Sequence, residues 1–320
     1  MRRLLLHILL FIIPLVLVVY FLPVDRRQLF IQLKEDCSYH GIWFYDRVHQ
    51  NETPANIIFL GSSHTVNGIM DDAIQRKINL PSVHVVNFGY CRYGTNIYYV
   101  LLKEILRAKR PGILFLEVRE DESRYSHPVF PYIADARDIF LATPFFNRDM
   151  VRDYYNSFLF RLNVLKVQYF KRDSAVEART GEFGYMGSAD TASKSYLAKI
   201  RSDNAKPRTQ LPSLERNFYM TYPRIYLKRL SELCIENKIR LCFLYIPQYG
   251  SACKEPREMA AYAGYGDVLI PPGEIFEDQD NWFDENHLNR AGATKLSEWV
   301  ADRLTSPGMK FSLTGEPGKK

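Results

Sequence analysis

The chain has 320 residues, of which 47% are hydrophobic and 24% charged. That is enough for one sizeable α/β domain or two small ones, and it excludes intrinsic disorder, a collagen and a small disulfide scaffold. Lys and Arg number 42 against 36 Asp and Glu, a net charge of +6, spread without long runs and too weak to argue for a nucleic-acid partner. The five cysteines, Cys37, Cys91, Cys234, Cys242 and Cys253, are scattered, odd in number and without a Cys-x-x-Cys pair. They imply neither a zinc site nor a disulfide framework and leave the redox compartment open.

Residues 4–24 hold no formal charge apart from the titratable His7, and follow Arg2 and Arg3. As a helix this run is about 30 Å long, the thickness of a bilayer's hydrocarbon core. It ends in Tyr20-Phe21-Leu22-Pro23-Val24 with Asp25-Arg26-Arg27 behind, not in the small residues of a signal-peptide cleavage site. Residues 1–27 therefore read as an uncleaved anchor in the lipid bilayer, with Pro14 tolerable inside it. Arg2, Arg3 and the terminal amine favour a cytoplasmic N-terminus although Arg26 and Arg27 pull the other way, which puts the body in the periplasm or at the cell surface.

Residues 28–53 mix aromatics with charges and read as a stalk or as a lead-in helix leaning on the domain. From 54 to 305 the rhythm is strand, loop, helix. The apolar run at 56–60 is the mark of a strand buried on both faces and stops at Gly61. A helix is expected near 70–78, a short strand at 83–87, a helix at 96–109 and a third strand at 113–118. At about 120–222 this rhythm is lost in an insertion with a helix expected over 148–170 and a polar segment over 171–194. A helix carrying Ile225, Leu230, Leu233 and Cys234 leads into a fourth strand at 239–246, and a closing helix runs over 291–304. Strands alternating with helices predict a parallel sheet covered on both faces. The tail, 306–320, reads as disordered.

The chemistry gathers where strands end. Gly61-Ser62-Ser63-His64-Thr65 follows the first strand, where a hydroxyl either caps the next helix or stands exposed as a nucleophile. Asp284-Glu285-Asn286-His287 precedes the last helix. An Asp and a His three apart share one turn, so the carboxylate can orient the imidazole while the imidazole reaches a serine. Alternatively this is an acidic turn capping the helix. A metal reading of Asp284, Glu285 and His287 lacks a second ligand cluster.

Gly-x-Ser after the first strand and Asp-x-x-His before the last helix together resemble the SGNH/GDSL hydrolase superfamily. The string Asp284-Glu285-Asn286-His287-Leu288-Asn289-Arg290-Ala291-Gly292 is the most specific part of that resemblance, which covers about 54–120 and 224–305. It implies a three-layer α/β/α fold and a triad of Ser63 as nucleophile, His287 as general base and Asp284 as its orienting carboxylate. It places the oxyanion glycine in the loop after the second strand, with Gly94 the first choice and Gly89 the second; either glycine also serves as ordinary turn chemistry. Ser62, His64 and Arg119 are cleft candidates, Arg119 because the family's Gly-x-Asn-Asp block is absent after the third strand, where Glu117-Val118-Arg119-Glu120-Asp121 stands; alternatively His64 caps or packs at the loop, and Arg119 makes a surface ion pair with Glu120 or Asp121.

The departures are similar to the membrane-anchored branches, such as the D-alanyl-lipoteichoic acid esterification and alginate acetylation proteins. They imply a serine esterase or acyltransferase acting on an acyl-bearing glycan or envelope polymer, with a membrane-bound acyl-transfer partner and no cofactor. The alternative is a non-catalytic envelope protein that uses the same scaffold to bind glycan or a membrane partner.

Overall fold

The computed structural model describes residues 2–33, 40–119, 124–170, 180–204 and 211–306. In chain order it runs α1 (Arg2–Phe21), α2 (Arg26–Ile31), α3 (His40–His49), β1 (Ile57–Leu60), α4 (Ser63–Gly68), α5 (Asp71–Ile78), β2 (Val85–Asn87), α6 (Thr95–Ala108) and β3 (Ile113–Val118). The insertion supplies α7 (Phe130–Ile133), α8 (Ala136–Ile139), α9 (Met150–Phe170) and α10 (Lys194–Asn204). The chain closes with α11 (Ser213–Glu236), β4 (Arg240–Tyr245), α12 (Met259–Ala263), β5 (Asp267–Leu269), α13 (Glu274–Glu277) and α14 (Arg290–Thr305).

All strand pairs are parallel, in the order β2-β1-β3-β4-β5. Side chains alternate across a pleated strand, and here both faces are buried. Ile58, Leu60, Leu114, Leu116, Leu241 and Phe243 enter one core with Phe44, Leu101 and Leu230. Ile57, Phe59, Ile113, Phe115, Cys242 and Leu244 enter the other with Ile74, Leu296 and Val300. Helices α3, α6 and α11 thus cover one face, and α5 and α14 the other, as the unbroken apolar strands predict. β5 is an addition. Its three residues are only half-buried or exposed, too short and too polar at Asp267 to stand out as a strand. β1 lies between β2 and β3, so the chain reverses direction across the sheet beside it, and crevices form outside the carboxyl ends of strands at such a reversal. Ser63 and Arg119 follow the two strands that flank it.

The apolar N-terminal run is helical. Among the described residues no helix is long and apolar enough to cross a membrane, and the side chains of residues 2, 4–6, 8, 9, 15 and 21 lie outside the description. The span expected over residues 4–24 therefore rests on the sequence alone. Leu10, Phe11, Ile12 and Ile13 are exposed, Phe11 by 81%. Four consecutive residues make a full turn, so the domain covers no side of α1 there. Its C-terminal end is held, because Arg161 of α9 donates to the carbonyls of Val19, Tyr20 and Leu22.

The cysteine reading needs a correction. Cys91 is disulfide-bonded, while Cys234, Cys242 and Cys253 are free. Scattered spacing did not reveal the bridge because spacing in sequence carries no information on which thiols meet in space. Cys37, Glu120, Asp121, the start of the polar segment at 171–179 and the tail at 307–320 lie outside the described residues.

Next to Cys91, His127 is almost wholly buried; its Nε2 donates to the Cys91 carbonyl at 2.8 Å and its Nδ1 accepts from Val129 N–H at 3.1 Å. Burial pushes its pKa down to about 4. The unfolded chain binds a proton there at about pH 6.5, so stability is lost as pH falls from about 6.5 toward 4. The stability gap between wild type and His127→Gln should narrow by about 1–2 kcal/mol between pH 7.5 and pH 5, measured by urea unfolding at each pH. A gap independent of pH would refute a neutral buried His127.

Candidate active site

Ser62 and Ser63 occupy the turn from β1 into α4 and have opposite fates. Ser62 is the N-cap of α4, accepting from His64 N–H at 3.2 Å, and is fully buried. Ser63 is the first helical residue, and its Oγ lies 2.7 Å from His287 Nε2. Of this pair, Ser62 takes the capping role and Ser63 is the serine that meets the imidazole.

His287 sits in a turn built by its neighbour. Asp284 Oδ1 accepts the backbone N–H groups of Asn286 and His287, each at 2.8 Å, which ties the turn closed. His287 Nδ1 lies 2.9 Å from Asp284 Oδ1 and 2.8 Å from Oδ2. A carboxylate only accepts, so Nδ1 carries the proton and Nε2 is left to accept from the Ser63 hydroxyl. Partial burial pushes the Asp284 pKa up, but the His287 ring and the two backbone N–H groups outweigh it and hold the carboxyl below its usual range. It stays ionised, a negative charge held against the protonated Nδ1 of the imidazole.

The rest of the specific string has structural work. Trp282 is fully buried, donates from its indole to the Phe276 carbonyl at 3.1 Å and bridges Leu288. Asn289 caps α14 by accepting from Gly292 N–H. A Cβ on Gly292 would lie 2.4 Å from the Asn281 carbonyl oxygen, so only glycine fits. Glu285 receives the Tyr196 hydroxyl of α10. Among the described residues no group of three or more His, Cys, Asp or Glu is placed to hold a metal ion.

The oxyanion candidates separate. Gly89 N–H is already donated to Asn87 Oδ1 at 2.9 Å, and its carbonyl accepts from His40. Gly94 caps α6 without a side-chain bond; a Cβ there would lie 2.7 Å from both Asn96 Oδ1 and His127 Cβ. The glycine is therefore required by packing whatever its N–H does. Arg119 is clamped between the two loops: its Nη1 lies 3.3 Å from His64 Nε2, its guanidinium covers the Tyr93 ring at 5.7 Å, and its carbonyl accepts the Tyr93 hydroxyl. Burial, with Arg119 and His287 nearby, pushes the His64 pKa down to about 4 against the pull of Glu117. His64 is thus neutral at pH 7 and accepts from the arginine. Its ring centroid lies 5.7 Å from that of His287.

Two cavities open beside these residues. One of about 160 Å³ is lined by His64, Arg119, Ile246, Gln248 and Arg257 among others. A larger one of about 740 Å³, reaching Arg201 and Phe276, shares Tyr245, Pro247, Gln248, Ser251 and Cys253 with it. None of Ser63, Asp284 and His287 lines either cavity, so the hydrogen-bonded chain, not the amount of open space, marks the site. Pro247 follows the end of β4 and lines both cavities, while Gln248 Nε2 donates to Asn286 Oδ1 at 2.6 Å.

Sequence reasoning missed two contributors. The first is the later part of the insertion. Met186 N–H donates to the Val66 carbonyl, Ala192 N–H to that of Trp282, and Arg290 N–H to that of Ser188. This segment braces both α4 and the Asp-His turn, whereas Phe145 and Phe146 pack on Phe218 of α11. No periodicity marks such a strap, because its bonds are backbone ones. The second is Glu117, whose position inside an apolar strand was the one available signal: a carboxylate at a buried position calls for partners.

No protein-family model matches the chain. No curated protein matches it.

Proposed function

We propose that the protein is a serine esterase or acyltransferase acting on acyl esters of an envelope glycan or polymer, of the SGNH hydrolase kind, anchored in the membrane by the apolar run at residues 4–24. The observation that carries this reading is the hydrogen-bonded chain from Ser63 Oγ through His287 to Asp284, at 2.7 and 2.8 Å. His287 Nε2 takes the Ser63 proton as Oγ attacks the ester carbonyl, giving a tetrahedral oxyanion. Collapse breaks the bond to the leaving alkoxide, which takes the proton back from His287 and departs as an alcohol. Water or an acceptor hydroxyl then attacks the acyl-serine by the same proton path, so hydrolysis and transfer use one set of groups. Gly94 is the first candidate for backbone donation to the oxyanion.

Two observations support the envelope setting. The uncovered apolar turn at Leu10–Ile13 suits lipid, and the disulfide at Cys91 suits an oxidising compartment. A soluble fluorophosphonate tests the chemistry. The full chain in detergent should gain one adduct by intact mass, lost in Ser63→Ala and in His287→Ala. A folded wild type that gains none would refute an activated serine and favour the scaffold as a binding protein.

A further inference from the structure

The turn that presents Ser63 is moulded on a carboxylate outside the triad. Glu117, near the C-terminal end of β3, is 5% exposed. Its Oε2 accepts Ser62 N–H at 2.7 Å and the Thr65 hydroxyl at 2.7 Å, with Thr65 N–H at 3.3 Å. Its Oε1 accepts the Ser62 hydroxyl at 2.8 Å. Every one of these partners is a donor aimed at a carboxylate oxygen.

Ser62 and Thr65 lie three apart and so share a side of the turn, and that side faces β3. Ser63 is rotated from it by about 100° and faces His287. The fit is close: a Cβ on Gly61 would stand 2.5 Å from Glu117 Oε2 and 2.6 Å from Glu117 Cβ, so the backbone entering the turn rests directly on this side chain.

We propose that Glu117 is the positioning residue of the nucleophile, holding residues 62–65 so that Ser63 Oγ stays within hydrogen-bond reach of His287 Nε2. The proposal rests on reading Ser63 as the nucleophile. Its physical ground is the steepness of reactivity with placement: a shift of about 1 Å in a reacting atom costs on the order of 100-fold in rate. Gln at this position keeps the shape but loses the charge and offers an N–H in place of one accepting oxygen, which the Ser62 hydroxyl can receive only by turning its own proton away from this side chain.

The test uses the full chain in detergent, with nitrogen-15 in its histidines, as wild type, Ser63→Ala, Glu117→Gln, Glu117→Asp and Thr65→Val. The His287 Nε2 resonance reads the bond to Ser63 without requiring turnover. Glu117→Gln should move it to the position seen in Ser63→Ala. For 4-methylumbelliferyl acetate, kcat per fluorophosphonate-titrated site should fall about 100-fold with KM little changed, and Glu117→Asp should recover part of the loss.

A folded Glu117→Gln variant with the wild-type resonance and wild-type kcat per titrated site would overturn the proposal. If Glu117→Gln does not fold, Thr65→Val decides by the same resonance, whose failure to move would also overturn it. If wild type turns over no ester while Glu117→Gln still displaces His287, positioning stands and the enzymatic reading falls.

Discussion

Replacing Ser63 by alanine lowers the turnover of an activated acetyl ester by about 10³- to 10⁶-fold, and His287→Ala lowers it on the same scale. The two losses do not add. A double variant is about as slow as either single one, because a base without its nucleophile and a nucleophile without its base are equally idle. Asp284→Asn loses less, about 10²- to 10⁴-fold. It keeps an oxygen for the turn's backbone N–H groups, but it no longer offers the imidazolium a negative charge. Ser62→Ala behaves differently in kind. Its hydroxyl caps α4 and bonds to Glu117, so the variant still forms the adduct on Ser63, though more slowly with one bond to Glu117 gone, and costs about 1 kcal/mol of stability. Steady-state rates and intact-mass labelling of the four single variants and the Ser63/His287 double variant check the whole pattern. Loss of the adduct in Ser62→Ala with its retention in Ser63→Ala would reverse the assignment of the two serines.

The second large effect is at Trp282. Truncation to alanine empties a fully buried indole site between Tyr249, 5.5 Å away ring to ring, and Phe276 at 6.3 Å. The expected cost is about 3–5 kcal/mol, from lost burial together with a cavity. Trp282→Phe loses the bond to the Phe276 carbonyl but keeps most of the volume, so its cost is nearer 1–2 kcal/mol. The bridge from Trp282 to Leu288 closes the loop that contains Asp284 and His287. The alanine variant should therefore lose labelling of Ser63 below its melting temperature, and the phenylalanine variant should retain it. Urea unfolding and labelling at a temperature where both variants remain folded separate the two effects. Full labelling of a folded Trp282→Ala protein would show that the Asp-His turn holds its shape without this buried support.

Much of this molecule follows from local pattern. An apolar run that neither alternates nor breaks is a strand buried on both faces, and Ile57–Leu60 and Ile113–Val118 form as such. The Asp284–His287 pair is equally local: three residues of spacing and one Asx turn set its geometry, whatever the rest of the chain does. The boundaries of α5, α6, α9 and α14 fall within two residues of their expected places because the apolar residues that mark them lie within each segment, with Asn289 capping α14.

What required the tertiary structure is whatever depends on residues far apart in sequence. Ser63 and His287 are separated by 224 positions, and only the packing of β1 and α14 against one sheet determines that Ser63, not Ser62, meets the imidazole. Gly89 read as an oxyanion candidate by its place in a loop, but the Asn87 side chain holds its N–H. Glu117 looked like the end of a strand until Ser62 and Thr65 were seen to converge on it across 55 and 52 residues. The disulfide at Cys91 and the strap at 186–192 belong to the same class. Short-range sterics and hydrophobic periodicity write secondary structure into the sequence, while the assignment of each hydrogen bond between distant loops is settled only when the sheet brings their ends together.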